Sequence, residues 1–191
     1  MIDDPASAPR RRQEGLLFLA LFALTIPAAN WLIGHAGTVC VAGGPCLIPV
    51  APGLKAPSGV LMVGLGLVLR DLVQRRLGAT AGLAAIAAGA VLSALLAPPA
   101  IVLASAAAFL LSELADFFVY TPLQRRRFVL AVALSSLVGL VVDSLVFLWL
   151  AFGSFDFLAG QVLGKLWMVL LALPVAQWLR RRDERLGLVP A

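Results

Sequence analysis

Four short bunches of arginine punctuate this chain, each at the end of an apolar stretch. They are Arg10 to Arg12, Arg70 with Arg75 and Arg76, Arg125 to Arg127, and Arg180 to Arg182 with Arg185. Six apolar segments lie among them. These run from about Gly15 to Ile33, Ser58 to Leu72, Gly78 to Leu96, Ile101 to Tyr120, Phe128 to Phe152 and Phe157 to Leu179. A spanning helix needs about 20 mostly apolar residues. The bunches fall before segment one and after segments two, four and six. If the first is inside, alternation puts all four inside, and the other connections hold one cation, Lys55. Parity and the positive-inside bias therefore agree. The expected fold is an all-α, polytopic membrane bundle of six transmembrane helices with both termini cytoplasmic. Residues 1–14 are expected as an N-terminal tail, 15–179 as the transmembrane domain with an external loop at 34–57, and 180–191 as a basic C-terminal tail.

Composition excludes the soluble alternative. Hydrophobic residues make up 61% of the 191 and charged ones 13%, where a soluble domain is about half apolar and a quarter charged. The net charge of +5 comes from bunches kept apart by apolar segments. They do not converge on one soluble face, as nucleic-acid binding requires. The start of the chain has the outline of a secretory signal: three arginines, an apolar run and Ala28-Ala29. Cleavage there would leave five spans; the expectation is that the segment stays as the first span. Segment five is long enough to span with some tilt. Segment two is short, which puts Arg70 and Asp71 within the inner leaflet.

The longest external connection, His35 to Pro57, is rich in Gly and Pro and is expected to form no packed domain. It holds both cysteines. Gly43, Gly44 and Pro45 favour a turn between Cys40 and Cys46, and an oxidising periplasm would permit a disulfide; two free thiols are the alternative. Two cysteines and one histidine make no metal site.

Charges inside a membrane cost about 2.5 to 3.5 kcal/mol each on insertion scales, so those within the segments need a reason. Asp71, Glu113, Asp116 and Asp143 lie within or at the edge of spans, with Arg70 and Lys165. Glu113 and Asp116 share a helix face, which Ser105, Ser112 and Tyr120 extend. Ser136, Gly139 and Asp143 fall at helical spacing in segment five, and Gln161 and Lys165 in segment six. At about 1.5 Å per residue, Asp143 and Lys165 reach similar depth in the outer half, where they can neutralise each other. Glu113, Asp116, Arg70 and Asp71 lie nearer the cytoplasm. Polar groups along most of the thickness suit a translocation path; the plainer reading is ion pairs that hold helices together. The small residues Ala79 to Gly82 suit close helix packing. His35 stands alone by the external loop. Ser136 and Asp143 share a face but lack a base for hydrolysis. No enzyme activity and no cofactor are expected.

At these residues the sequence resembles the VUT family, which contains the queuosine precursor transporters. The resemblance runs from about Leu16 to Leu179. Its carriers are Asn30-Trp31, Arg70-Asp71-Leu72-Val73 followed by Gly78, Ser112-Glu113-Leu114-Ala115-Asp116 with Tyr120, Ser135-Ser136, Gly139, Asp143-Ser144 leading to Ala151-Phe152, and Lys165. The resemblance implies import of a 7-deazaguanine, the 7-cyano or 7-aminomethyl compound or queuine, across a bacterial inner membrane. It makes Asn30, Asp71, Glu113, Asp116, Asp143 and Lys165 candidate polar contacts to a purine-like base. Tyr120 and Trp167, then Phe117 and Trp149, are candidate aromatic contacts. One of Glu113 and Asp116 is expected to carry a proton during transport; facilitated diffusion with metabolic trapping fits equally well. The chain's short length and its two loop cysteines depart from the family pattern. The alternatives are a substrate-binding subunit of an energy-coupling vitamin importer and a ligand-free assembly protein. Expected partners are the base, the lipid bilayer and either a second copy or energising subunits.

Overall fold

The computed structural model describes residues 7–40 and 45–188, so residues 1–6 of the expected N-terminal tail, Gly43 and Gly44 of the expected turn, and residues 189–191 lie outside the described residues. Six long helices form the body: α1 (Ser7–His35), α2 (Val60–Leu77), α3 (Ala79–Leu96), α4 (Val102–Leu123), α5 (Phe128–Phe152) and α6 (Leu158–Leu186). A 3-10 turn, Pro99–Ile101, joins α3 to α4. Helices α1 and α6 run further than their apolar segments, so Arg10 to Arg12 and Arg180 to Arg185 are helical.

Five of the six helices, all but α2, are long and apolar enough to cross a membrane. Their outward faces carry large apolar side chains that water would not tolerate in such number. Leu95 and Leu103 are each 76% exposed and Phe118 is 71% exposed. Such a belt is what lipid covers and a soluble protein avoids. The chain is thus a multi-pass helical membrane bundle.

Helix α2 fails that measure because Arg70, Asp71, Arg75 and Arg76 crowd its second half. It also has no need to be apolar. It packs against each of the other five helices, and every residue from Gly66 to Arg76 is buried. A helix enclosed by protein faces no lipid, so its polar groups meet partners instead of acyl chains. The apolar core surrounds it, with Leu67, Leu69, Leu72 and Val73 of α2 against Phe22, Val132, Leu140 and Val169.

The stretch expected as an external loop corrects the all-α expectation. It folds as a three-stranded antiparallel sheet, β1 (Val39–Cys40), β2 (Cys46–Ala51) and β3 (Leu54–Pro57), in that order. Cys40 and Cys46 sit directly opposite each other on β1 and β2 and are joined by a disulfide. Gly53, at φ 75°, turns the chain between β2 and β3; only glycine takes that conformation cheaply. Val50 and Ala56 pack with Val60 and Leu163 on the helices below. Trp167 Nε1 donates to the Val50 carbonyl at 3.0 Å, and Ser58 Oγ donates to the Leu32 carbonyl at 2.7 Å. A lone hairpin is marginal in water. Here the disulfide and the helix tops hold it.

Glycines set two close approaches. A Cβ at Gly64 would lie 2.5 Å from the carbonyl oxygen of Lys165, so α2 and α6 touch backbone to backbone. A Cβ at Gly139 would lie 3.2 Å from Cβ of Asp116. Gly64→Ala is expected to destabilise the protein by about 1–3 kcal/mol, the usual cost of overpacking, because backbone on the far side cannot rotate away. Thermal unfolding in detergent measures it; a parental midpoint would show that the two helices are not in this contact.

Candidate functional site

Two polar clusters occupy the bundle interior. Lys165 of α6 is 1% exposed and spends all three ammonium protons on protein. It donates to Asp143 Oδ2 of α5 at 2.6 Å, to Ser144 Oγ at 2.7 Å and to Gln161 Oε1 at 2.7 Å. The pairing at matched depth that the sequence suggested is therefore formed.

The second cluster surrounds Arg70, which is fully buried. Its Nε donates to Glu113 Oε2 at 3.0 Å, and one terminal nitrogen donates to Gln74 Oε1 at 2.9 Å. That nitrogen also lies 3.0 Å from Asp71 Oδ1. The other terminal nitrogen meets Asp116 Oδ1. Ser135 Oγ of α5 donates to Asp71 Oδ2 at 2.9 Å, and Gln74 Nε2 donates to Thr121 Oγ1 at 2.9 Å. One guanidinium thus serves three carboxylates and ties α2 to α4, with α5 joined through Asp71. With all three acids ionised the cluster carries two uncompensated negative charges. Asp116 Oδ2 and the Tyr120 hydroxyl have no hydrogen-bond partner among the described residues.

A cavity of about 110 Å³ lies beside these clusters, in the half of the bundle that carries the sheet. One water needs roughly 10–15 Å³ of such space, so the cavity has room for a small organic molecule. Its polar wall includes Asn30, Ser112, Glu113, Asp143, Gln161 and Lys165, and Phe109 and Phe147 supply rings. Glu113 belongs to both cluster and cavity: Arg70 holds Oε2, while Oε1 meets no protein donor among the described residues. The Asn30 amide gives Nδ2 to the Ile26 carbonyl at 3.0 Å.

Of the candidate residues, Asn30, Glu113, Asp143 and Lys165 line this cavity. Asp71 and Asp116 lie behind Arg70 and do not. Tyr120 is fully buried near the Arg70 guanidinium, its ring centre 5.8 Å away, and Phe117 stands at the same distance. Trp167 is half-exposed on the outside, under the sheet, and Trp149 is exposed and stacked on Phe155. The rings at the cavity are Phe109 and Phe147, which the sequence did not single out because lone phenylalanines in a span look like lipid contacts. Gln74 was legible in principle, one turn after Arg70 on the same face.

The opposite end of the bundle is closed by ion pairs. Asp183 of α6 is 1% exposed. It accepts from Arg75 at 2.8 and 3.1 Å and from Arg76 at 2.7 and 2.9 Å. Arg76 Nε lies 2.9 Å from Glu14 Oε2 of α1, and Arg182 also meets Glu14. These bonds lash α1, α2 and α6 together on the far side of Arg70 from the cavity.

The model of the family described as "Putative vitamin uptake transporter" matches residues 92–179. The match supports membership of the VUT family. It covers the end of α3, all of α4 and α5 and most of α6, somewhat under half of the chain. Glu113, Asp116, Asp143 and Lys165 fall inside it; Asn30, Arg70 and Asp71 fall outside. No curated protein and no solved structure matches the chain. A transporter family of this description accords with a multi-pass bundle holding a small, partly polar interior cavity.

Removing Asp183 would leave buried Arg75 without an acid and Arg76 with Glu14 alone. Asp183→Ala is expected to destabilise by about 3–5 kcal/mol. Glu184→Ala breaks only an exposed pair with Arg180 and is expected to cost under about 1 kcal/mol. Equal unfolding midpoints for the two variants would refute the closure described here.

Proposed function

We propose that this VUT protein imports a queuosine precursor, a 7-cyano- or 7-aminomethyl-7-deazaguanine or queuine, across the bacterial cytoplasmic membrane. The observation that carries the reading is the cavity wall. A 7-deazaguanine edge offers two N–H donors side by side and a carbonyl acceptor. Carboxylates accept paired N–H groups, and amides donate to the carbonyl. Glu113 Oε1 is an acceptor at the wall, Asn30 and Gln161 line the same cavity, and Phe109 and Phe147 offer faces for a flat ring. Asp71 and Asp116 act from behind by holding Arg70, which fixes Glu113.

In this reading α2 is the sixth span, both termini are cytoplasmic, and the sheet lies outside. The cavity then opens from the periplasmic half and the Asp183 pairs close the cytoplasmic end. Transport requires these ends to exchange. The excess acid around Arg70 gives one of Glu113 and Asp116 a reason to carry a proton during the cycle. Reporter fusions near Arg126 are expected to report the cytoplasm, and fusions in the sheet near Gly53 the periplasm. The reverse pattern would overturn the orientation.

The decisive test is uptake of labelled base by cells making the protein. Glu113→Gln and Asp143→Asn are expected to lower affinity about tenfold to a hundredfold. A hydrogen bond to a charged group is worth about 1.5–3 kcal/mol, and each 1.4 kcal/mol is about tenfold. Both variants should reach the membrane at parental levels. Parental uptake by both would make these acids purely structural. A protonophore arm separates proton coupling, which it abolishes, from facilitated diffusion, which it spares. A second reading is favoured by the family description itself: a substrate-binding subunit for another vitamin-like molecule, energised by partner ATPases. Co-purification of ATPase subunits with the protein distinguishes it.

A further inference from the structure

Gly89 stands inside α3, and the backbone gives no reason for a glycine there. Its φ is not positive, and glycine in a helix interior is destabilising against alanine. The reason lies in what surrounds it. A Cβ at Gly89 would lie 2.5 Å from Cζ and 2.8 Å from Cε1 of Phe109 on α4, and 3.4 Å from Cδ1 of Ile26 on α1. The missing side chain is thus a notch, and the tip of the Phe109 ring fills it. Gly64 differs, because there backbone occupies the space. A ring can swing about its side-chain torsions; packed backbone cannot.

The notch borders the candidate site. Phe109 and Ile26 both line the cavity of about 110 Å³. Ser93 lines it too, one turn after Gly89 on the same face of α3. The ring is confined on its other sides. Phe22 of α1 packs against it, with ring centres 6.0 Å apart and a tilt of 44°. Phe22 is itself 1% exposed and Ile26 6% exposed, so neither has room to yield. A ring expelled from the notch has the cavity as its open volume.

We propose that Gly89 is a positioning residue that sets the size of base the cavity admits, by stowing the Phe109 ring between α3 and α4. The inference rests on the reading of that cavity as the binding site for a flat base. With glycine at 89 the cavity keeps width for a substituent on the base. A side chain at 89 moves the ring into that width. Queuine, whose aminomethyl group carries a cyclopentenediol, needs the most width, and the linear 7-cyano group needs the least.

The experiment measures uptake of labelled queuine and labelled 7-cyano-7-deazaguanine by cells making the full chain, over concentration series that separate KM from the maximal rate. Gly89→Ala is expected to raise the KM for queuine about tenfold, the scale of one methylene group in a pocket. The KM for the cyano compound and both maximal rates should stay near parental values. Adding Phe109→Leu removes the ring tip that the new Cβ meets, and should restore the ratio of the two KM values. An equal rise in KM for both bases, or a ratio that Phe109→Leu leaves shifted, would overturn the proposal. A second readout needs no base. The chain has two cysteines, joined in the disulfide, so Ser105→Cys supplies the one free thiol. It lies on the cavity wall, one turn before Phe109 on α4. Methyl and benzyl methanethiosulfonate probe it in membrane vesicles. Gly89→Ala should slow the benzyl reagent about tenfold relative to the methyl one, and Phe109→Leu should reverse the change. An unchanged ratio would mean that α3 moves instead of the ring, and would overturn the role of Gly89 whatever the uptake. A shifted thiol ratio in a protein that takes up neither base would keep that role and sink the queuosine reading instead.

Discussion

A guanidinium fully removed from water, in the middle of an apolar bundle, must have its counter-charges in place before the surrounding helices can close. Arg70 supplies that condition here. Its partners come from α2 itself and from α4, and Ser135 of α5 reaches the cluster through Asp71. Truncating any one acid would change a balance of charges that lipid cannot absorb. The arrangement also decides which acids are free to meet a ligand. Asp71 and Asp116 are committed to Arg70. Glu113 gives it one oxygen and turns the other edge toward the cavity.

The interior therefore has a graded polarity. Next to the sheet is a cavity with a neutral pair, Asp143 and Lys165, on one wall. Below it lies the acid-rich Arg70 cluster, and below that the Asp183 pairs. Each layer involves α2 or α6 and leaves their contact at Gly64 undisturbed. A bundle that moves during transport can rock about such a tight contact while the layers on either side exchange partners.

Much of this was written in the chain. The depth count along segments five and six was enough to pair Asp143 with Lys165, because helical rise is nearly constant. Arg125 to Arg127 located the break between α4 and α5, whereas Arg10 to Arg12 and Arg180 to Arg182 fall inside α1 and α6. What escaped the sequence depends on tertiary context. The stretch between Val39 and Pro57 holds Pro and Gly at a density that reads as loop, and its three short strands are supported by the disulfide and the tops of α2 and α6. Trp167 looked like a ring for a ligand; it caps the sheet from outside. Asp116 shares a face with Glu113 yet sits one layer deeper, a distinction that spacing alone does not carry.

The enclosure of α2 bears on how the protein is made. The translocation machinery meets each segment as it is synthesised and weighs it against lipid. Helix α2 arrives with Arg70, Asp71, Arg75 and Arg76; a charge at a helix centre is unfavourable by about 2.5–3.5 kcal/mol, and Arg75 and Arg76 stand in the last turn. The acids of α4 that answer Arg70, and Asp183 of α6 that answers Arg75 and Arg76, are synthesised later. The charges of the central helix of the finished bundle are thus answered by parts of the chain made after it.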